Sequence, residues 1–174
     1  MNMIDLQPHL VGVLLELRPL AAEDWDALFA AAADPKIWEL HPASDRYKEE
    51  VFTVFFQEAL DGRGALVAVD RTTRKIIGSS RYRWHEAANE LEIGWTFLVR
   101  SHWGGVYNAE MKRLMLGHAF RFVDRVVFRI GATNLRSRRA MEKIGGVLTD
   151  RKETVTVRGK NIEQVVYEIA KIST

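Results

Sequence analysis

Three strand patterns follow one another closely between residues 65 and 98, and this segment constrains the fold more than any other part of the sequence. Residues 65–69 are a continuous apolar run, residues 75–84 form a second pattern, and residues 90–98 show a two-residue alternation. Connections this short favour antiparallel neighbours, because parallel strands need a long crossover. The segment therefore predicts an antiparallel meander. In its third strand one face is expected to carry Leu91, Ile93, Trp95 and Phe97, and the other Glu92, Gly94, Thr96 and Leu98.

Helix and strand patterns continue on both sides of the meander. The predicted elements are helices at 22–33, 47–60, 106–123 and 135–144, and strands at 13–18, 126–132, 147–157 and 163–169. A meander that leads into a β-α-β-α-β unit predicts an α+β fold. We expect one mixed, mostly antiparallel sheet of about seven strands with helices on both faces.

The composition narrows the class of protein further. The chain has 174 residues, which fits one domain over residues 1–174. It has no cysteine, which excludes disulfides, thiolate nucleophiles and cysteine-ligated zinc. Lysine and arginine number 25 against 23 acidic residues, so the charge is only +2 and no nucleic-acid partner is expected. Without a readable signal sequence or a long apolar run, we expect a cytoplasmic protein with no membrane partner.

A glycine pair, Gly104–Gly105, joins the end of the meander to a long amphipathic helix. Adjacent glycines allow the backbone to turn sharply and approach a ligand. The first turn of the helix presents unpaired N–H groups and the positive end of the helix dipole, which together can bind a phosphate. The alternative is an ordinary glycine turn before a helix.

The helix predicted at 135–144 is preceded by Asn134, a residue typical of the N-cap. Ala140, Met141 and Ile144 would form its buried stripe. Its basic residues are either a solvated face or a cationic rim for a phosphorylated cofactor; they are Arg136, Arg138, Arg139 and Lys143. Arg138 and Glu142 have the i,i+4 spacing of an ion pair.

Three motifs in this order resemble the GNAT superfamily of acyl-CoA-dependent N-acyltransferases. They are Glu92-Ile93-Gly94-Trp95, then Trp103-Gly104 leading into Tyr107-Asn108-Ala109-Glu110, then Asn134-x-x-Ser137 followed by Lys143-x-Gly145. Within the superfamily, the chain resembles the branch that contains the ribosomal-protein N-terminal acetyltransferases. The resemblance extends over residues 13–169, although the glycine loop departs from the usual family pattern at Trp103, Val106 and Asn108.

The resemblance implies that acetyl-CoA lies in a V-shaped gap where strands 90–98 and 126–132 splay apart at the centre of the sheet. Backbone groups of three residues would pair with the pantetheine arm: Phe97, Leu98 and Val99. Backbone N–H groups would hold the pyrophosphate from Gly104, Gly105, Val106, Tyr107 and Asn108. Asn134 would orient the pantetheine arm. No metal is expected, because no histidine pair has metal-ligand spacing with a carboxylate partner.

Two residues are candidates for proton transfer. Glu92 could act as the general base for the incoming amine, or it could be an exposed strand glutamate. Ser137 resembles the serine that the branch places near the cofactor sulfur, where it could protonate the leaving thiolate; alternatively it caps or packs the helix start.

Trp38 could line the acceptor site or cover the core. His41 and His85 are expected in loops, where either could face the substrate.

The function implied is transfer of an acetyl group from acetyl-CoA to a primary amine by direct attack within a ternary complex. The amine would be a protein N-terminus or a small molecule. The alternative is a non-catalytic CoA-binding or metabolite-sensing domain of the same fold. We expect a monomer or a homodimer.

Overall fold

A computed structural model describes residues 3–173 of the chain. The strands are β1 Leu10–Val11, β2 Leu15–Pro19, β3 Ala65–Asp70, β4 Ile76–His85, β5 Glu90–Leu98, β6 Arg125–Gly131, β7 Val147–Val157 and β8 Lys160–Ala170. The helices are α1 Trp25–Ala32, α2 Pro35–Trp38, α3 Glu49–Asp61, α4 Val106–Ala119 and α5 Leu135–Lys143. The strands form one sheet in the order β1-β2-β3-β4-β5-β6-β8-β7.

The sheet confirms the predicted α+β fold and the antiparallel meander. Strands β3, β4 and β5 pair in sequence as antiparallel neighbours, whereas β6 runs parallel to β5. The C-terminal hairpin folds back so that β8 lies between β6 and β7. Eight strands are present instead of about seven, because the two-residue strand β1 pairs with the start of the sheet.

A β-bulge in β5 overturns the prediction that its alternation continues without a break. Arg81 lies opposite Gly94 and Ser79 lies opposite Phe97, so β5 carries one extra residue in this interval. Trp95 takes a positive φ of 52° there. As a result, Leu91 and Ile93 pack on one face of the sheet, while Trp95 and Phe97 pack on the other.

The two faces of the sheet carry two separate hydrophobic clusters. One lies beneath α4 and α5 and contains Met111, Met115 and Met141 with Leu91 and Val126. The other is aromatic and lies beneath α1–α3; it includes Trp38, Phe52, Phe55, Phe56 and Phe97. Helices therefore cover both faces, as predicted. Within residues 3–173, no helix is long and apolar enough to cross a membrane.

Helix α1 ends before Asp34-Pro35, as predicted, but Pro35 also begins a second helix. The Asp34 side chain accepts a hydrogen bond from the Lys36 N–H at 3.0 Å, and proline suits the first helical position because its missing N–H would be unpaired there. Helix α2 leads into segment 39–48, which crosses toward the end of β6. There Pro42 approaches Gly131 so closely that a Cβ on Gly131 would lie 2.6 Å from the Pro42 Cγ.

Glu110 attaches the first strands to α4. Its carboxylate accepts backbone N–H groups from Val13, Leu14 and Leu15 at 2.8–2.9 Å. Three donors on one carboxylate fix the rotation of α4 against the sheet. The last residue of the motif Tyr107-Asn108-Ala109-Glu110 thus has a structural role in this chain.

Candidate active site

Strands β5 and β6 pair at only two positions and then separate. The paired residues are Leu91 with Val126 and Glu92 with Val127. Beyond them the β5 edge toward β6 is unpaired over the described residues. Such an edge presents peptide groups that need hydrogen-bond partners, so an extended ligand arm can bind there as an added strand.

The three residues expected at the pantetheine arm differ in where their peptide groups point. The Val99 N–H donates to the Ile77 carbonyl of β4 at 2.8 Å. Because peptide groups alternate in direction along a strand, those of Phe97 also face β4 and those of Leu98 face the gap. The Leu98 carbonyl accepts the indole N–H of Trp103 at 2.9 Å, so its N–H is the group that a ligand in the gap can use.

The glycine pair forms the turn between the gap and α4. Gly104 and Gly105 have φ values of 118° and 106°, a backbone conformation that residues with a Cβ rarely adopt. The first hydrogen bond of the helix runs from Ala109 N–H to the Gly105 carbonyl, and Gly105 provides no side-chain cap. The N–H groups of residues 106–108 therefore lack intrahelical acceptors and can bind an anion at the positive end of the helix dipole.

Asp70 holds the loop that precedes these glycines, and its role was missed at the sequence level. His102 Nε2 lies 2.7 Å from the Asp70 carboxylate, which also accepts the backbone N–H groups of Thr72 and Thr73. The hydrogen bond from His102 lowers the pKa of Asp70. Because Asp70 is buried at the end of β3, it anchors the loop to the sheet.

Asn134 and Ser137 lie together at the start of α5. Asn134 is buried, and its side-chain carbonyl accepts the Ser137 N–H at 3.3 Å, which confirms the predicted N-cap. The Asn134 side chain thus caps the backbone N–H of Ser137. Its half-buried hydroxyl has no hydrogen-bond partner among the described residues.

The basic residues of α5 are not a uniformly solvated face. The guanidinium of Arg136 lies 4.4 Å from the centre of the Trp103 ring, so it joins α5 to the glycine loop. Arg138 does not pair directly with Glu142. Instead, Tyr167 links them, since its hydroxyl accepts from Arg138 at 3.1 Å and donates to Glu142 at 2.9 Å.

Glu92 is buried, which rules out the reading of an exposed strand glutamate. It is 4% exposed and occupies the last paired position before the gap. Its carboxylate oxygen lies 2.5 Å from His85 Nε2 and 3.0 Å from the Arg129 guanidinium, which reaches across from β6. His85 ends strand β4 and does not lie in a loop, and its side chain is 24% exposed.

A wider ionic network surrounds this pair. Arg129 also contacts Glu90 and Glu153, and Arg151 contacts the same two carboxylates. The hydrogen bond from Arg151, supported by Arg129, lowers the pKa of Glu90 to about 2. One signal was present in the sequence, because Arg129 interrupts the apolar run of β6.

Lys112 is a second residue that sequence reasoning missed. It is 4% exposed, although it is a lysine in the middle of α4. Its ammonium contacts Thr96 of the bulged strand at 2.5 Å, and Thr96 in turn lies 2.8 Å from the Ser80 hydroxyl. Burial lowers the pKa of Lys112 to about 7. A lysine three residues before the buried Met115 was the signal, since i and i+3 share a helix face.

Segment 39–48 packs against the end of β6, where Pro42 lies close to Gly131. Trp38 precedes it and is 2% exposed, with its indole N–H bonded to the Ala32 carbonyl at 2.8 Å, so this residue belongs to the core. His41 Nδ1 accepts the Ala43 N–H at 2.9 Å. Burial and the neighbouring charge of Arg46 lower the pKa of His41 to about 3, so it stays neutral at physiological pH. Among the described residues, no group of three potential metal ligands is present.

A family model described as an acetyltransferase (GNAT) domain matches residues 15–147. The chain belongs to the GNAT acetyltransferase family. The protein is therefore an enzyme of the acyltransferase class, and GNAT acetyltransferases in general use acetyl-CoA. No curated protein sequence matches the chain.

Solved structures share the GNAT fold over nearly the whole chain. A GCN5-related N-acetyltransferase from Brucella melitensis is 21% identical, with a TM-score of 0.78 over 94% of this chain and 79% of that one. An acetyltransferase from Agrobacterium tumefaciens is 25% identical, with a TM-score of 0.69 over 94% and 95%. Ribosomal-protein-S5-alanine acetyltransferase from Vibrio fischeri is 13% identical, with a TM-score of 0.69 over 95% and 97%.

Proposed function

We propose that this GNAT protein transfers an acetyl group from acetyl-CoA to a primary amine by direct attack within a ternary complex. The observation that carries the proposal is the position of the strand gap. It opens directly beside a glycine turn and the uncapped start of α4. Adjacent parts of the chain can therefore bind the thioester arm, in the gap, and the pyrophosphate, at the start of the helix.

The residues present fit the expected cosubstrate. The N–H groups from Gly104 to Asn108 would hold the pyrophosphate, and the free N–H of Leu98 would hold the pantetheine arm. Asn134 lies at the start of α5, shortly after β6, and its side-chain carbonyl already accepts the Ser137 N–H. Acetyl-CoA supplies the activated acetyl group and a thiolate leaving group. The chain itself has to position the amine and move protons.

Glu92 and His85 together form the general base in this proposal. An attacking amine must first lose the proton of its ammonium form. His85 is the more exposed member of the pair, and its Nδ1 has no hydrogen-bond partner among the described residues. Nδ1 accepts the proton, while the buried carboxylate of Glu92 stabilises the imidazolium through Nε2–H. Glu92 thus acts through the histidine.

Ser137 is the proposed acid for the departing thiolate. Its backbone N–H is used by the Asn134 cap, which leaves the hydroxyl free to donate. The side chain lies in the first turn of α5, the helix that follows the unpaired end of β6. Ser137→Ala is expected to lower kcat with little change in acetyl-CoA affinity, because the interaction would form mainly in the transition state.

The sequence resemblance to the ribosomal-protein N-terminal acetyltransferases supports a protein N-terminus as one acceptor class. Ribosomal-protein-S5-alanine acetyltransferase from Vibrio fischeri shares the fold of this chain. A small-molecule amine is the other choice. A panel of both kinds separates them, with the acetylated product identified by mass spectrometry.

The test measures CoA release with a thiol reagent across this amine panel. The chain has no cysteine, so the thiol signal comes from CoA alone. Glu92→Gln is expected to lower kcat by about 100-fold or more, the range typical of general-base catalysis. Glu163→Gln, an exposed glutamate on β8, is the matched control and should leave kcat unchanged.

Two results would contradict the proposal. If acetyl-CoA neither binds nor is consumed with any amine, the cosubstrate assignment is wrong. If acetyl-CoA raises the melting temperature but no amine releases CoA, the non-catalytic binding alternative replaces it.

A further inference from the structure

Two arginines, one of them in segment 39–48, lie over one aromatic ring. The guanidinium carbon of Arg46 lies 4.5 Å from the centre of the Phe55 ring, and that of Arg81 lies 4.7 Å from the same centre. Arg46 also lies 5.2 Å from Trp38, and Arg81 lies 4.8 Å from Trp95. These contacts restrain both guanidinium groups but leave their N–H donors, which lie in the plane of the guanidinium itself, free to bind an acceptor.

These donors are largely unused. The Arg81 guanidinium donates to the Phe55 carbonyl at 3.3 Å, and the Arg46 guanidinium makes no hydrogen bond to a described residue. Within residues 3–173, no carboxylate oxygen lies within 4.0 Å of either guanidinium. By contrast, Arg129 of the same site contacts three carboxylates. Both arginines of the pair are half-buried.

The pair is therefore electrostatically unbalanced. Burial and the charge of Arg81 lower the pKa of Arg46 to about 10. Burial and the charge of Arg83 lower the pKa of Arg81 to about 10, while Glu58 and Glu92 attract these charges only from a distance. Two desolvated like charges favour binding of an anion that supplies the missing acceptors.

The pair also lies beside the proposed base. Arg83 is opposite Glu92 in the β4–β5 ladder and Arg81 is opposite Gly94, so Arg81 and Glu92 are diagonal neighbours on one face of the sheet. Diagonal neighbours have side chains about 7 Å apart. Segment 39–48 brings Arg46 over the same face. An anion bound by both arginines would thus lie within the length of a small molecule from Glu92 and His85.

From this arrangement we infer that Arg46 and Arg81 bind the acidic group of the amine acceptor. The acceptor is a small amine that carries a carboxylate or a phosphate, and its amino group faces His85. The inference rests on the proposed acetyl transfer, and it narrows the acceptor from any primary amine to an acidic one. Planar guanidinium groups bind both kinds of oxyanion through paired N–H donors.

The experiment compares matched acceptors. Each amino acid is assayed beside its carboxamide and its decarboxylated amine, and phosphoethanolamine is assayed beside ethanolamine. For the wild-type protein, we expect kcat/KM to be at least about tenfold higher for the acid than for its neutral partners, as charge-assisted recognition implies. The carboxylate and phosphate series show which oxyanion is preferred.

Substitutions of Arg46 and Arg81 then test whether these two residues cause the preference for acidic amines. Arg46→Met and Arg81→Met should raise KM for the acid toward that of the neutral amine, so that the ratio of kcat/KM between acid and neutral amine falls toward one. Arg46→Lys and Arg81→Lys keep the charge without the planar fork and should retain part of the preference. Arg121→Met is the control, because Arg121 is exposed, also stacks on an aromatic ring at 5.7 Å, and follows α4 away from the site.

The outcomes separate this inference from the proposed function. Equal kcat/KM for acids and neutral amines in the wild type, or an acid preference that survives in the Arg46→Met/Arg81→Met double variant, would overturn the inference alone. If no amine releases CoA, the proposed function fails. The inference about Arg46 and Arg81 is then tested by the melting temperatures of the wild type and the double variant with an acid or its amide. An acid that stabilises the wild type more than its amide does, but not the double variant, supports the anion site; equal stabilisation refutes it.

Discussion

Replacing the buried Lys112 by methionine should stabilise the protein, and the gain should depend on pH. Lys112 is 4% exposed, and burial lowers its pKa from 10.5 to about 7. Methionine has a similar length and no charge, so it can fill the same space beside Thr96 without a desolvation penalty.

The magnitude follows from proton linkage. Between pH 7 and 10.5 the unfolded chain holds the lysine proton and the folded chain releases it, so stability rises with pH in this window. Each pH unit is worth roughly 1.4 kcal/mol, and the full penalty below pH 7 is therefore about 5 kcal/mol. Near pH 7 about 4 kcal/mol remains, which is large beside a typical domain stability of about 5–15 kcal/mol.

Urea unfolding of the wild type and Lys112→Met at pH 7 and pH 9 measures this effect. The variant should be the more stable protein at pH 7. Its advantage should shrink by about 2 kcal/mol at pH 9, because the wild-type lysine is then neutral in the folded state. Comparing the two proteins at each pH cancels the titration of all other groups. Lys152→Met, on the exposed β7 strand, is the control and should show no such pH dependence.

An advantage that stays constant between pH 7 and pH 9 would refute the reasoning, since Lys112 would then keep its ordinary pKa. A destabilised variant at pH 7 would show that the contact with Thr96 outweighs the cost of burying the charge.

Three further predictions concern the site. Glu90→Gln should destabilise the protein above pH 4.5, and the loss should disappear between pH 4.5 and 2 as the wild-type carboxylate is protonated; urea midpoints at pH 7 and pH 3 measure it. Asn108→Asp should leave the free protein as stable but weaken CoA binding by about tenfold, because the new carboxylate faces the pyrophosphate; calorimetry checks this. Asp70→Asn should release His102 and weaken CoA binding, with no effect on the affinity for the amine.

Local sequence signals predicted the elements well, because their causes are local. Two-residue and 3.6-residue periodicities, the Asn134 cap and the Pro35 boundary all act within a few residues of the chain. The glycine pair was predicted as a sharp turn, and both glycines do take the positive φ that other residues avoid. Sequence resemblance then supplied the gap between β5 and β6, which periodicity alone does not reveal.

The site depended on contacts between residues far apart in the chain. The bulge at Trp95 changes which face Phe97 occupies, and one inserted residue leaves no trace in an alternating pattern. Arg129 buries Glu92 from another strand, and Tyr167 intervenes between Arg138 and Glu142. None of these partners is close in sequence.

The sequence by itself determined the order of the longer helices and strands, the Asn134 cap and the glycine turn before α4. Only the tertiary structure decided which charges are paired. Arg46 and Arg129 cannot be distinguished as isolated arginines in the sequence. In the structure, β6 places Arg129 against three carboxylates, whereas segment 39–48 places Arg46 over an aromatic ring with no carboxylate in contact among the described residues. Periodicity indicates which face of its own helix or strand a side chain occupies. Ion pairing and burial depend on which other helix or strand packs against that face.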